Sequence, residues 1–302
     1  MHSYKNLIGW FAPERIALAT LCLVGLLTLT LSCASPEAIS TFADSAQKSL
    51  AGGPPLFNDI HDSCVRRETA RPEQPILPLF VPPGSKNAPP KNPPALSTCA
   101  RFADEAQGLN NVSAVLTAYF RAVQQLSAFN TSSVSTANTS AAESAATAAN
   151  LSSVQVDSVG KLAGLVTQVF TESYQRRRLV DALRQADPHV AAVTQGLDSV
   201  IKNYLVFLQE ERQTLTGRYQ SVGDTNQGAI LLLLNRAYSD DLAEIQHRQA
   251  AAVAYQESLK NIREGHHQAV VGAQHMNTKE LSLALQPYIS KLDTLAPMLQ
   301  EK

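Results

Sequence analysis

Residues 109–126 read LNNVSAVLTAYFRAVQQL. Leu109, Val112, Leu116, Tyr119, Val123 and Leu126 step through this stretch by 3, 4, 3, 4 and 3, which sets six apolar side chains on one stripe of an α-helix. Period-two alternation, the mark of a half-buried strand, does not occur over any useful length after residue 100. The stretch therefore decides the fold class: all-α, with a seam that other helices must cover.

The same period recurs along the chain. NTSSVSTANTS (130–140) interrupts it with turn chemistry, and AAESAATAAN (141–150) has the composition of a thin helix. A further run carries Val156, Val159, Leu162, Val166, Phe170, Val180 and Leu183. Asp187 then reads as an N-cap with Pro188 at the first helical position, so a new helix is expected there. Its stripe is Val190, Val193, Leu197, Val200, Tyr204, Phe207, Leu215 and Val222, closed by Gly223. Asp224 with Gln227 has the form of a capping box, opening a helix striped by Leu231, Leu234, Tyr238, Leu242, Ile245, Ala252, Leu259 and Ile262. Asn277 with Glu280 caps the last helix, which carries Leu281, Leu285, Tyr288, Leu292, Leu295 and Leu299 and which Pro287 is expected to kink. Helices of about 30–48 residues are roughly 45–70 Å long, and short connections make neighbours antiparallel. Residues 100–302 are thus expected to form an elongated antiparallel up-and-down bundle of four to five long helices.

Upstream, residues 64–99 hold nine of the sixteen prolines and are bounded by Cys64 and Cys99. Left open, RPEQPILPLFVPPGSKNAPPKNPPA (71–95) would be a stiff polyproline spacer. A Cys64–Cys99 disulfide would draw its ends within about 6 Å and close a loop worth about 3–4 kcal/mol in the chain-entropy model. Ile76, Leu77, Leu79, Phe80 and Val81 are apolar enough to pack as a collar on the helical body; docking into a partner's aromatic groove is the other reading. Residues 33–63, broken by Gly and Pro in SPEAIS and AGGPPLFNDIHDS, read as a flexible tether with one short helix near 37–50.

Residues 1–15 carry Lys5 and Arg15, and residues 16–32, IALATLCLVGLLTLTLS, are 17 residues without a charge. A positive segment followed by an apolar run too short for a spanning helix is the signature of an export signal. An uncleaved anchor and ordinary cleavage after Ala34 both fit that pattern. Leu31–Ser32–Cys33 also resembles the bacterial lipobox, with Ser32 as the small residue before the cysteine; Thr30 and Leu31 depart from the commonest form. The resemblance implies a lipoprotein signal peptide over 1–32, with covalent lipid on Cys33 as the one attached group. It also implies a membrane-anchored protein, and Ala34 in place of Asp leans it toward the outer membrane, facing the periplasm. Inner-membrane anchoring and release to the periplasm are the alternatives. Two or more acyl chains would hold such a protein durably.

Cysteine use agrees with export. Cys22 lies in the apolar run and Cys33 at its exit, leaving Cys64 and Cys99 as an even pair. The chain carries a net charge of −1, and residues 33–302 hold 23 basic and 25 acidic groups, so there is no electrostatic footprint for nucleic acid. The local exception, Arg176–Arg178, has Glu172 and Asp181 at helical pairing distance.

No nucleophile elbow, Walker loop, dinucleotide turn or HExxH motif is present. Glu244–His247 and Glu264–His267 have the ExxH spacing of di-iron bundles, but lie twenty residues apart on one expected helix, about 30 Å, and cannot share a centre. His266, His267 and His275 form a looser group whose imidazoles suit copper or zinc. His266 continues an apolar stripe, so a hydrogen-bonded seam histidine is its plainer reading. The sequence thus points to a non-enzymatic, lipid-anchored envelope protein whose helical bundle meets a protein partner or serves as a structural accessory. A periplasmic metal- or small-ligand-binding protein is the alternative. The long seams can close within one chain or between copies of it.

Overall fold

The computed structural model describes residues 36–70, 94–128, 139–169, 175–223 and 228–300. Residues 1–35, with Cys33 and the segment read as an export signal, and residues 71–93, with the Ile76–Val81 cluster, lie outside them. Among the described residues the regular elements are all helical: α1 Pro36–Leu50, α2 Gly53–Ala70, α3 Pro94–Ser127, α4 Thr139–Ala148, α5 Ser153–Val169, α6 Gln175–Gly223, α7 Ala229–His275 and α8 Thr278–Leu295, then a 3₁₀ turn, Pro297–Leu299. None of these helices is long and apolar enough to cross a membrane.

The seam of residues 109–126 is the core of α3: all six of its stripe residues are buried. Around it, Asn58–Asn110 and the disulfide Cys64–Cys99 pair α2 with α3 in opposite directions. Asp198–Gln256 and Tyr219–Asp241 do the same for α6 and α7, and α4 closes on α3 at Gly108, where an added Cβ would lie 2.5 Å from the Ala145 carbonyl oxygen. The expected Asn277–Glu280 capping box is formed, with Asn277 Oδ1 accepting from the Lys279 and Glu280 amides and Glu280 Oε2 accepting from the Asn277 amide.

Two expectations are corrected. The short helix expected near 37–50 is present as α1, but residues 36–63 as a whole are not a flexible tether: they form most of two packed helices, with Ile39, Phe42, Ala46, Leu50, Leu56, Phe57 and Ile60 all buried. The residues read as breakers start the helices instead: Pro36 opens α1, and Pro54 and Pro55 sit in the first turn of α2, where no amide donor is required. Gly52 and Gly53 serve close approach, since a Cβ would lie 2.4 Å from Leu299 Cβ and 2.6 Å from the Tyr255 hydroxyl respectively. The disulfide accordingly ties α2 to α3 rather than merely closing a loop, because Cys64 and Cys99 both sit inside helices.

Asp187–Pro188 does not begin a helix either, for α6 runs through it. Pro188 cannot donate to the carbonyl of residue 184, but Leu183, Ala186, Val190 and Val193 on either side are buried, and their packing carries the helix across. The expected Asp224–Gln227 box lies outside the described residues; the N-cap of α7 is Gly228, at φ 70°, with no side-chain hydrogen bond.

Candidate functional site

Two polar clusters bind the helices together, both on α7. The first centres on His266, which is 1% exposed. Phe120 packs edge-on against its ring, and Phe42 on α1 fills the space beside Gly265. The Tyr119 hydroxyl lies 2.7 Å from His266 Nε2, and His266 Nδ1 lies 3.0 Å from Asp187 Oδ1. Exposed His267 reaches the other carboxylate oxygen, with Nδ1 2.8 Å from Oδ2. An ionised Asp187 only accepts, so both Nδ1 atoms donate to it, and neutral His266 accepts the tyrosine O–H at Nε2.

The ionisations follow from this arrangement. Burial lowers His266, outweighing the pull of Asp187 toward the charged form. Burial would raise Asp187, but the hydrogen bonds it accepts from His266 and His267 hold it below the ordinary carboxylate value. Burial, then the Asp187 charge, pushes the Tyr119 phenol well up. A hydrogen-bonded chain therefore runs from the surface at His267 to the interior at Tyr119, joining α7, α6 and α3.

The second cluster lies nearer the N-terminal end of α7. Asp59 on α2 accepts from Arg66 Nη2 (2.7 and 2.8 Å), from the Tyr204 hydroxyl (2.5 Å) and from Arg248 Nη1 (3.1 Å). Glu211 on α6 accepts from Ser63 Oγ and Arg66 Nε, both at 2.7 Å, and from two Arg248 nitrogens, each at 3.1 Å. Two carboxylates thus meet two guanidiniums, and the charges close. Burial would raise Glu211, but the hydrogen bonds from Arg248, Ser63 and Arg66 outweigh it and keep the carboxyl low. A cleft of about 280 Å³ opens beside this cluster, lined in part by Thr69, Leu215, Arg218 and Asp241. Its wall arginines are already engaged, Arg66 and Arg248 by the carboxylates and Arg218 by the Thr69 carbonyl at 3.0 Å.

Cys64 and Cys99 are bonded, with Cα atoms 5.8 Å apart. Cys33 lies outside the described residues. Of the histidines singled out as metal candidates, His266 and His267 meet on Asp187, whereas His275 is exposed two turns further along α7 and does not join them. Among the described residues no group of three or more His, Cys, Asp or Glu side chains is placed to hold a metal ion. Sequence reasoning missed the Asp59–Arg66–Glu211–Arg248 cluster. The one local signal was Asp59 and Arg66, seven apart on one helical face, hidden by reading that segment as a tether.

Comparison with protein-family models, with curated proteins and with solved structures finds no match to this chain.

Proposed function

We propose that this chain is a lipid-anchored protein of the bacterial cell envelope, tethered through Cys33 and non-enzymatic, whose helices serve as an interaction or structural module. The arrangement that fits this role is an elongated antiparallel up-and-down bundle built on α3, α6, α7 and α8, with α1 and α2 laid along it end to end. The observation that carries the reading is the Cys64–Cys99 disulfide between two core helices, a link that persists in an oxidising compartment. It agrees with α1 opening at Pro36, three residues after Cys33, which would hold the body directly against the bilayer. The polar clusters support a structural part, because their ionisable groups bind one another across helices.

The test is metabolic labelling with an alkyne fatty acid. The wild-type chain should take up label and need detergent for release. Cys33→Ser should lose both properties while keeping its helical circular dichroism. Label retained by Cys33→Ser, or a wild-type chain soluble without detergent, would sink the proposal.

A further inference from the structure

The first half of α7 turns one side to α6 and leaves the other uncovered. Leu231 and Tyr238 mark the covered side: Leu231 Cδ1 lies 3.8 Å from where a Cβ on Gly223 would sit, and Tyr238 stacks on Tyr219 and hydrogen-bonds Thr216. At about 100° per residue, the opposite side carries Ala229, Leu233, Arg236, Asp240, Ala243 and His247, which step by 4, 3, 4, 3 and 4. All six are exposed, Leu233 by 70%, and Leu232 at their flank is 72% exposed. Further along α7 the same side is core: Ala254, Ser258, Asn261 and Gly265 are buried, with Phe42 of α1 and Tyr288 of α8 beside Gly265. One heptad seam thus runs along α7, closed by helices of the body in its second half and open in its first.

We infer that the open half of this seam pairs with the same half of a second copy of the chain, antiparallel about a two-fold axis midway between Arg236 and Asp240. Both residues are exposed, and neither makes an ion pair with any described residue. An antiparallel pair in this register sets Arg236 of each copy against Asp240 of the other. It also sets Leu233 against Ala243, large against small, and Ala229 against His247. Layers of this kind close an antiparallel coiled coil. Each contact occurs twice, as a two-fold interface requires.

The two charges decide the occupant. A parallel pairing would set Arg236 on Arg236 and Asp240 on Asp240, which like-charge repulsion opposes. A purely apolar groove would cover Leu233 only by stranding both charges beside it. A second copy in the antiparallel register buries the leucine and answers each charge with its opposite. The pairing spans Ala229 to His247, about 27 Å of helix, and ends before the same side of α7 becomes buried at Ala251.

The inference deepens the reading of the helices as an interaction module and rests on that part of it, not on the lipid. It is therefore tested on a Cys33→Ser chain beginning at residue 33, which retains every described residue. Sedimentation equilibrium over the micromolar range should show a concentration-dependent dimer. Arg236→Asp and Asp240→Arg should each weaken it about tenfold or more, because each sets like charges together twice. Combining the two substitutions in one chain should restore the dimer. Mixing the two single variants should also give a dimer, at concentrations where each alone is monomeric. A chain that stays monomeric at every concentration overturns the proposal and leaves the labelling test of the anchor untouched. Thiol labelling of Leu233→Cys then shows whether the face is open or covered by the chain itself. A dimer that neither single variant weakens, or that the combined variant and the mixture both fail to restore, overturns it too. Circular dichroism of each variant checks the fold, and these solvent-facing positions leave the core untouched.

Discussion

Glu210 and Glu211 are neighbours in sequence and opposite in setting, which makes them a test of what burial does to an ion pair. The Glu211 side chain is 5% exposed and holds Arg66, Arg248 and Ser63; the Glu210 side chain is 51% exposed and pairs with Arg67 alone. Glu211→Ala strands the Arg248 guanidinium, itself only 12% exposed, and removing one partner of a buried pair costs about 3–5 kcal/mol. Arg248 keeps Asp59 at 3.1 Å and Arg66 is 40% exposed and can hydrate, which favours the lower end of that range. The Ser63 hydroxyl, buried and left without its acceptor, adds about 1 kcal/mol. The sum is about 4 kcal/mol, or about 10 °C in Tm for a body of this size. Glu210→Ala removes the same charge one residue away from a half-exposed carboxylate; Arg67, 15% exposed but lying over the Phe207 ring, loses one partner, and the cost should be about 1–2 kcal/mol. Thermal and urea unfolding followed by far-ultraviolet circular dichroism, with the disulfide intact, measures both. Values for the two variants within about 0.5 kcal/mol of each other would refute the reasoning, because only burial and its partners separate them.

Stability should fall as pH drops below about 6.5, because the unfolded chain protonates its histidines near that value while buried His266 stays neutral until lower pH. Protons bound preferentially by the unfolded state fix that sign; His189, also lowered by burial and by Lys161, adds to it. The urea midpoint against pH should show this slope, reduced in His266→Gln, and an opposite slope would contradict the assignment. Replacing Cys64 and Cys99 together with Ser opens a 35-residue separation and should lower stability by about 4 kcal/mol relative to the oxidised chain, read by unfolding with and without reductant. Gly108→Ala should destabilise by about 1–3 kcal/mol despite alanine's better helix propensity, because its Cβ would meet backbone atoms of Ala145 and Ala149 at 2.5 and 2.6 Å. Gly217→Ala, with nothing within 4 Å, should instead stabilise by up to about 1 kcal/mol, and urea unfolding separates the two signs.

What the sequence made legible was whatever a single helix determines. The 109–126 stripe, the Asn277–Glu280 box and the cysteine pair each follow from local spacing or counting, and each stands in the structure. What it hid depends on neighbours. Gly52, Gly53, Pro54 and Pro55 look the same in a linker as at a helix start. The contacts with Leu299 and Tyr255, two hundred residues away, decide between them. Asp187 looks like a cap because Pro188 follows it, yet its carboxylate is taken by two histidines on another helix. The Asp59–Glu211 cluster draws on three helices, so no window of sequence contains it.

The same dependence explains why Ile230–Leu233 at the start of α7 are exposed although their composition is that of a core. Toward that end of α7 the neighbours thin out. At Gly265–His266 the helix is enclosed by Phe42 of α1, Tyr119 of α3, Asp187 of α6 and Tyr288 of α8. At Arg248 it meets α2 and α6, and at Tyr238 it meets α6, through Tyr219 and Thr216. Leu232, thirty-three residues and about 50 Å from Gly265, is 72% exposed. Ile39, Leu109 and Leu162 are buried because other helices run beside them. Ile230–Leu234, five consecutive large aliphatics, have the composition of such a core, yet Leu232 and Leu233 are 72 and 70% exposed because, among the described residues, no helix runs beside them there. Composition proposes burial, and only the neighbours a helix acquires decide whether it happens.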